Sequence, residues 1–383
     1  MLDMPHKITA VGSEGRVARR GLLLLPTRCF LLASCYFLFL FGCAAPQKPQ
    51  EIIWPLPPEE PKIKFVKSIS TSADVERRSL FTPAKELLIG KQPQARLGKP
   101  YAVHVDKEGR IFVADSAWRS VLLFDVPAQQ FKLIGLEGPG ILSKPMGVTT
   151  DAQGHIYVTD TVQNRAVVYD RDGNFLMAMG ERGRFEQPVG IAVNDNLNRI
   201  YIVDTKKHNV SVFDSREGRF LFDFGGRGIE DGQFNWPTNI AMDKAGKVYV
   251  MDTFNFRVQI FDSNGGFLTK FGSVGKGLGQ FAKPKGIGVD SEGHIYVVDA
   301  AFNNVQIFDE QGQLLLFFGS FGNRPGQLWL PAGLFVDSED QIYVVDQYNK
   351  RINVYQYLGS VYQAKQAKQA QAGSEKSEVG NEK

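Results

Sequence analysis

One short segment occurs six times in this chain and constrains its fold more than any other feature. Each copy is an apolar run that ends in an aspartate, and successive aspartates lie 45, 44, 48, 47 and 47 positions apart. The six residues are Asp115, Asp160, Asp204, Asp252, Asp299 and Asp346. A fixed period of about 20 to 50 residues is typical of a solenoid, a propeller or another repeat array. Because each unit contains only strand and turn patterns, the period predicts a repeat built from β-strands.

Each repeat reads as two hairpins in succession. In the fifth copy, residues 286–290 and 294–299 alternate apolar with other positions, and Gly293 suits the tight turn between them. Residues 305–309 and 314–319 form a second alternating pair. Each unit therefore predicts four antiparallel strands, which we name a to d in chain order.

A sheet of this kind is apolar on both faces and is not stable alone. Six such sheets around one axis bury both faces against their neighbours, which predicts an all-β, six-bladed β-propeller of four-stranded antiparallel blades. The residue two positions after each repeat proline is small in five of six copies, which places strand a innermost. These residues are Ala102, Gly147, Gly190, Asn239, Gly286 and Gly333.

The sixth unit has no fourth strand, because the chain becomes polar after its strand c. An alternating segment within 62–70 precedes the first repeat, and we predict that this N-terminal strand completes the last blade. The propeller then covers 100–358, and 71–99 is a connecting segment that is partly helical. Residues 359–383 are too polar to bury a core, and we predict a disordered tail or a fraying helix there.

The loop after the strand-b aspartate carries a pattern of its own. It reads DTVQNRAVVYD at 160–170, DTFNFRVQIFD at 252–262 and DQYNKRINVYQ at 346–356. This pattern resembles the NHL repeat family over 100–358 and the closing strand. The resemblance implies a propeller of the kind found in binding proteins and in some lyases and lactonases.

The first 42 residues belong to a different class of sequence. A basic stretch leads into the uncharged run 29–42, which is too short to span a bilayer but suits the apolar region of a signal peptide. The sequence around Cys43 resembles the lipobox of bacterial lipoproteins. This implies that residues 1–42 are removed, that Cys43 is lipidated, and that the protein lies in the bacterial cell envelope, on the outer membrane facing the periplasm or the surface. The alternative is an uncleaved membrane anchor.

Removal of the signal peptide simplifies the rest of the chain. Residues 43–61 are a proline-rich linker, which we expect to be an extended spacer. Cys43 becomes the single cysteine, so no disulfide or cysteine metal site is expected. The signal contains five of the 44 Lys and Arg residues and two of the 41 Asp and Glu residues, which leaves no net charge. A neutral chain argues against nucleic acid as a partner.

Side chains suited to catalysis are sparse. The repeated aspartates serve every blade, so we interpret them as acceptors of backbone N–H groups in the b–c turn. A three-histidine zinc site is not expected, because only His104 falls on an innermost strand. A calcium site would need acidic or amide residues on strand a, where only Asn239 qualifies. No catalytic, metal-binding or cofactor-binding residue is predicted.

The remaining candidate site is the surface formed by the b–c and d–a loops. The b–c loops carry residues that differ between repeats, and aromatic and arginine side chains there suit protein contacts. The candidate partner-binding residues are Trp118, Arg119, Asn164, Lys207, His208, Phe254, Phe256, Phe302 and Tyr348. We predict a lipid-anchored, non-catalytic scaffold that binds the membrane through its lipid and a protein or peptide of the cell envelope through these loops. The alternative is a lyase or lactonase acting at the axial mouth.

Overall fold

A computed structural model describes residues 51–76 and 94–380. The predicted signal peptide, Cys43 and part of the predicted connecting segment lie outside these ranges. The described chain folds into six antiparallel β-sheets and a C-terminal helix.

Two strands precede the repeats: β1 (Ile53–Trp54) and β2 (Ile63–Ile69). Blade one contains β3 (Pro100–Val105), β4 (Arg110–Asp115), β5 (Ser120–Asp125) and β6 (Gln130–Ile134). Blade two contains β7 (Pro145–Thr150), β8 (Ile156–Asp160), β9 (Arg165–Tyr169) and β10 (Phe175–Met179). Blade three contains β11 (Pro188–Asn194), β12 (Arg199–Asp204), β13 (Asn209–Asp214) and β14 (Phe220–Gly225). Blade four contains β15 (Pro237–Met242), β16 (Val248–Asp252), β17 (Arg257–Phe261) and β18 (Phe267–Phe271). Blade five contains β19 (Pro284–Val289), β20 (Ile295–Asp299), β21 (Asn304–Phe308) and β22 (Leu314–Phe318). Blade six contains β23 (Leu334–Val336), β24 (Gln341–Asp346) and β25 (Arg351–Tyr357).

The six blades form a closed ring. Each innermost strand contacts the innermost strands of both neighbouring blades, and β23 of blade six contacts β3 of blade one. An apolar cluster fills each of the six spaces between adjacent blades. The structure therefore confirms the predicted six-bladed propeller.

Contact between neighbouring innermost strands explains the small residues of strand a. A Cβ atom added to Gly147 would lie 2.2 Å from the carbonyl oxygen of Val189, and one added to Gly333 would lie 2.5 Å from that of Tyr101. Both distances are shorter than van der Waals contact, so a larger side chain would separate adjacent blades.

The N-terminal strand closes the ring as predicted. β2 pairs antiparallel with β25, from Ile63 opposite Tyr357 to Ile69 opposite Ile352. Blade six therefore takes its fourth strand, β2, from the N-terminal part of the chain. This pairing joins the two ends of the propeller without a covalent bond.

The end of the proline-rich linker differs from the spacer expected there. Ile53 and Trp54 form β1, which pairs with β2 as a fifth strand at the outer edge of blade six. The Trp54 ring lies 5.8 Å from the Phe318 ring of blade five and 5.8 Å from the Tyr355 ring. This packing holds the segment in place, although its proline content favours an extended chain.

The C-terminal segment forms a helix, which is the second of the two forms predicted for it, and not a disordered tail. Helix α1 (Ser360–Gly380) is rich in Ala, Gln, Lys and Glu, which have high helix propensity. Its start is fixed by Glu292, whose carboxylate accepts the Ser360 N–H at 2.7 Å and the Tyr357 hydroxyl at 2.9 Å. No helix within the described ranges is long and apolar enough to cross a membrane.

The connecting segment is described only at its two ends. Ser72–Asp74 form a single 3-10 turn, and Thr71 makes an isolated bridge with Arg96. The helical prediction for the residues between 76 and 94 lies outside the described ranges.

Candidate functional site

The strand-b aspartates fix the loops on one end of the propeller, which we call the loop face. Asp299 accepts the Ala282 N–H at 2.7 Å from the incoming d–a loop and the Ala301 N–H at 2.9 Å from the b–c loop. All six aspartates are fully buried. The structural interpretation of these residues is confirmed, and it extends further than predicted, because each carboxylate binds the d–a loop as well.

Two blades replace the turn N–H donors with side chains. Asp252 accepts Arg257 Nε at 2.8 Å and Asn255 Nδ2 at 2.7 Å, and Asp346 accepts Arg351 Nε at 2.7 Å. Burial raises the pKa of both aspartates, although these hydrogen bonds oppose the shift. Both arginines also donate to loop carbonyl oxygens, so they stabilise the loops.

Every b–c loop ends on a residue with left-handed backbone. The fourth residue after each strand-b aspartate has φ between 51° and 57°. These residues are Arg119, Asn164, His208, Phe256, Asn303 and Lys350. Non-glycine residues adopt this conformation infrequently, and asparagine adopts it most readily. The backbone is therefore the same in all six loops while the side chain differs.

Five of the nine predicted partner-binding residues are exposed on the loop face: Trp118, Arg119, Asn164, Phe254 and Tyr348. Phe254 and Tyr348 leave 57% and 56% of their surface accessible, which is high for large aromatic residues. Trp118 is 38% exposed, and its Nε1 donates to the Arg96 carbonyl oxygen at 2.7 Å.

The other four predicted residues take part in the fold. Lys207 Nζ donates to the carbonyl oxygens of two d–a loop residues at 2.9 and 2.7 Å. His208 is buried, and its Nδ1 accepts the Trp236 N–H at 3.2 Å. Phe256 packs against the apolar cluster between blades four and five, and Phe302 is half-buried.

Aromatic residues of the d–a loops complete two exposed clusters that the sequence did not indicate. In the blade-four aromatic cluster, the Trp236 ring lies 5.9 Å from the Phe254 ring. In the blade-six aromatic cluster, Trp329 lies 3.9 Å from Tyr348 and 5.1 Å from Phe321. Each cluster therefore combines a predicted b–c residue with d–a residues from the same blade.

The spacing of the aspartates contained a signal for these residues. The three longer intervals, of 48, 47 and 47 positions, include the d–a loops that lead into blades four, five and six. Each of these loops contains an isolated parallel bridge, such as the pair Phe321 and Leu328, and forms a small folded projection. The extra residues expose Ile229, Val274, Leu278 and Phe321 on the loop face.

Three lysines lie close together near the axis of the loop face. Lys285 follows the first proline of strand β19, and its Nζ lies 6.0 Å from the centre of the Tyr101 ring on blade one. Blade six lies between blades five and one and has the small Ala332 at the position equivalent to Lys285. The small side chain leaves room for the Lys285 side chain to extend towards Tyr101. Burial, together with the smaller effect of the Lys283 and Lys99 charges, lowers the pKa of Lys285 to about 8.

A cleft opens beside these lysines at the junction of blades six and one. Its volume is about 460 Å³, and it is lined by Gly98, Lys99, Leu330, Gln347, Tyr348 and Lys350. Gln347 Nε2 donates to the Pro100 carbonyl oxygen at 2.9 Å, which ties the two blades together below the cleft. Most of the surface that lines the cleft is apolar, and Lys99 of blade one and Lys350 of blade six both border it.

The axial channel is narrow and contains one titratable side chain. Its central cavity of about 170 Å³ is lined by the innermost strands. His104 Nε2 lies 2.9 Å from Thr150 Oγ1, and its ring lies 4.4 Å from the Phe335 ring. Burial lowers the pKa of His104 to about 4, against a smaller opposing effect of the Asp106 charge. The imidazole is therefore neutral at physiological pH.

A second cavity of about 220 Å³ lies at the opposite mouth, between the a–b turns. Its lining includes Asp106, Asp151, Asp195 and Asp337, together with Arg110. No group of three or more His, Cys, Asp or Glu side chains that could hold a metal ion occurs within residues 51–76 and 94–380.

We expect Lys285 to titrate separately from the other lysines. After ¹³C-dimethylation, one lysine resonance in the NMR spectrum should titrate near pH 8, below the ordinary value of about 10.5, because burial and two neighbouring ammonium groups disfavour its charge. Lys285→Arg should remove that resonance. Titration of all lysine resonances together near the ordinary value would contradict the arrangement of this cluster.

Comparisons of sequence identify the repeat. A profile of the NHL repeat matches residues 185–213, and the DUF5128 profile, described as a 6-bladed β-propeller, matches residues 230–302 and 290–369. No curated protein matches the sequence.

Solved structures of low sequence identity share the fold. A streptogramin B lyase aligns with a TM-score of 0.53 at 13% identity, over 68% of this chain and 94% of that chain. Virginiamycin B lyase from Staphylococcus aureus aligns with a TM-score of 0.51 at 14% identity, over 67% of this chain and 94% of that chain. An auxiliary nutrient binding protein from Bacteroides thetaiotaomicron aligns with a TM-score of 0.55 at 15% identity, over 68% of this chain and 69% of that chain. Such identities establish a common fold alone. The chain is thus a six-bladed β-propeller, in which residues 185–213 match the NHL repeat and residues 230–369 match the profile of a 6-bladed β-propeller.

Proposed function

We propose that this protein is a non-catalytic scaffold that binds a protein or peptide partner through its loop face. The observation that carries the proposal is the exposure of the two aromatic clusters on loops whose backbone is fixed by buried aspartates. Aromatic side chains dominate the energetics of protein interfaces, and a rigid loop loses little conformational entropy on binding.

The position of the clusters supports contact with one extended partner. Phe254 of blade four and Tyr348 of blade six lie on the same face, and the projecting loop of blade five between them exposes Leu278. Exposed apolar residues that are grouped on one face favour a binding surface over incidental exposure. A partner that crosses blades four to six would bury all of these residues together.

We propose that the scaffold is anchored to the cell envelope by lipid on Cys43. The described chain begins at Glu51, on the outer edge of blade six. The residues between Cys43 and Glu51 can extend over at most roughly 28 Å. A lipid at Cys43 would therefore keep the propeller within a short distance of the membrane surface.

Anchoring is tested by fatty-acid labelling and fractionation of the expressing cells. Wild-type protein should lack residues 1–42 and incorporate a labelled fatty acid, whereas Cys43→Ser should incorporate none, because the serine hydroxyl accepts no lipid in place of the thiol. Wild-type protein should be released only by detergent. Wild-type protein that keeps residues 1–42 and incorporates no fatty acid would favour the alternative of an uncleaved anchor.

The alternative function is a lyase or lactonase acting at the axial mouth. Its support is the fold shared with streptogramin B lyase and the presence of His104 in the channel. The neutral imidazole could accept a proton, but it is already hydrogen-bonded to the Thr150 hydroxyl in a cavity of about 170 Å³. The exposed aromatic clusters have no role in that alternative, so we favour partner binding.

The two functions are separated by photo-crosslinking in the source cells. A photoreactive amino acid replaces Phe254, Tyr348 or, as the control, Gln311 in a c–d turn at the opposite end of the blade. We expect the same polypeptide to be crosslinked from positions 254 and 348 and not from 311, as determined by mass spectrometry of the adducts. Equal crosslinking from all three positions, or none from either loop-face position, would contradict the proposed binding surface.

A further inference from the structure

The charges of the loop face are unevenly distributed. Seven basic residues lie on the loops of blades five, six and one, which we call the basic sector: Lys99, Arg119, Lys276, Lys283, Lys285, Arg324 and Lys350. No carboxylate side chain occurs in the loop segments of this sector, which are residues 98–99, 116–119, 272–285, 300–303, 319–331 and 347–350. The incoming loops of blades two, three and four, in contrast, carry charges of both signs. These are Glu137, Glu181, Glu186, Glu230 and Asp231, together with Lys144, Arg182, Arg184 and Arg227. The small net charge of the whole chain, +3, therefore does not reveal that half of this face is strongly basic.

The basic residues of the sector have no acidic partner among the described residues. Ion pairs within 4.0 Å occur elsewhere, such as Lys270 with Asp231 and Arg184 with Asp223, but none involves a member of the sector. Lys285 is half-buried, and the neighbouring charges that act on its ammonium group are those of Lys283 and Lys99. An uncompensated cluster of this kind is electrostatically costly, and an anion bound beside it would relieve the repulsion.

Apolar surface adjoins the lysines. The cleft between blades six and one has Lys99 and Lys350 at its sides and Leu330 and Tyr348 in its walls. Tyr348 also belongs to the blade-six aromatic cluster, so the cleft is continuous with that cluster. A ligand with an apolar group in the cleft would carry its anionic group next to the axial lysines.

We propose that the basic sector binds an acidic segment of a partner polypeptide, in which carboxylates alternate with aromatic or large apolar side chains. This inference rests on the proposed partner-binding function and names the chemistry of the partner. Carboxylates meet Lys99, Lys283 and Lys285 near the axis, and an adjoining apolar side chain enters the cleft beside Tyr348.

A short acidic segment suits the surface better than a long polyanion. Proteins that bind single-stranded nucleic acid without sequence preference follow its backbone with a continuous basic groove. Here the basic residues without acidic neighbours occupy half of the face, and the loops of blades two to four interrupt the basic surface with five carboxylates. No continuous basic groove therefore crosses the face. The experiment therefore compares an acidic peptide with a nucleic acid and with an anionic membrane as ligands.

The experiment measures the affinity of the full chain for four probes by fluorescence anisotropy or co-sedimentation. The probes are a synthetic peptide of alternating aspartate and phenylalanine, the matched peptide with asparagine for aspartate, single-stranded polyuridine, and phosphatidylglycerol vesicles. We expect the acidic peptide to bind and the neutral peptide to bind at least about ten-fold more weakly. The affinity for the acidic peptide should also fall as the salt concentration rises from 0.1 to 1 M, because the Debye length decreases from about 10 to about 3 Å.

Matched triple variants locate the site. Lys99→Gln with Lys283→Gln and Lys285→Gln should weaken binding of the acidic peptide by about ten-fold or more. The control combines Lys107→Gln, Lys132→Gln and Lys244→Gln, which make the same change in net charge away from the loop face and should have an effect of less than about two-fold. All three control lysines are exposed, and thermal unfolding of both variants verifies that they remain folded.

Each remaining outcome overturns the inference. The inference is wrong if the acidic peptide does not bind, or if the neutral peptide binds with equal affinity. It is also wrong if the control variant loses as much affinity, or if polyuridine or the vesicles bind more tightly than the acidic peptide. The proposed function is judged separately, because it requires the crosslinks from positions 254 and 348 whatever the charge of the partner. Loss of those crosslinks with intact peptide binding would instead contradict the aromatic surface alone.

Discussion

Each strand-b aspartate is a buried carboxylate that accepts N–H groups from two different loops at once. Burial of an ionised carboxylate is costly unless its oxygens are fully hydrogen-bonded. Asp299 meets this requirement with the amides of Ala282, Lys283, Ala301 and Phe302. Because those amides belong to both the d–a and the b–c loop, the hydrogen bonds that stabilise the charge also fix the position of one loop relative to the other. The geometry of the whole loop face depends on this arrangement, repeated in every blade.

The arrangement separates what the fold requires from what function can vary. The carboxylate needs N–H donors, which any residue supplies from its backbone, so most loop side chains are unconstrained. Asn164, Phe256 and Lys350 carry an amide, an aromatic and a cationic side chain, yet they share one left-handed backbone conformation. A face built in this way can carry aromatic clusters and uncompensated lysines without loss of loop order. The proposed binding surface and its basic sector both depend on that freedom.

Much of the fold could be predicted because its signals are local and repeated. The aspartates gave the number of blades, and the alternation within 62–70 located the closing strand. β1 has no equivalent signal, and for α1 the composition left a helix and a disordered tail both open. The two-residue strand is held by Trp54 against Phe318, which is distant in sequence, and α1 starts where Glu292 of blade five accepts the Ser360 N–H.

The candidate site was less predictable for a similar reason. Exposure of Phe254 and Tyr348 follows from their place in the b–c loops, whereas burial of His208 depends on the backbone of Trp236 in another loop. The basic sector requires knowledge of which blades are neighbours, because Lys285 and Lys99 are adjacent only in the closed ring. Charge summed over the chain cannot show such a distribution.

Hydrogen exchange of individual backbone amides tests most directly whether the buried aspartates fix the loop face. Ala282, Lys283 and Ala301 donate to the buried Asp299, whereas Gln311 and Gln313 donate to Asp309 in the more accessible c–d turn of the same blade. The account predicts that the Ala282, Lys283 and Ala301 amides exchange as slowly as those of the adjoining strands, and that the Gln311 and Gln313 amides exchange much faster. Exchange of all five amides at the same fast rate would contradict it, because the loops of the binding face would then open independently of the blade.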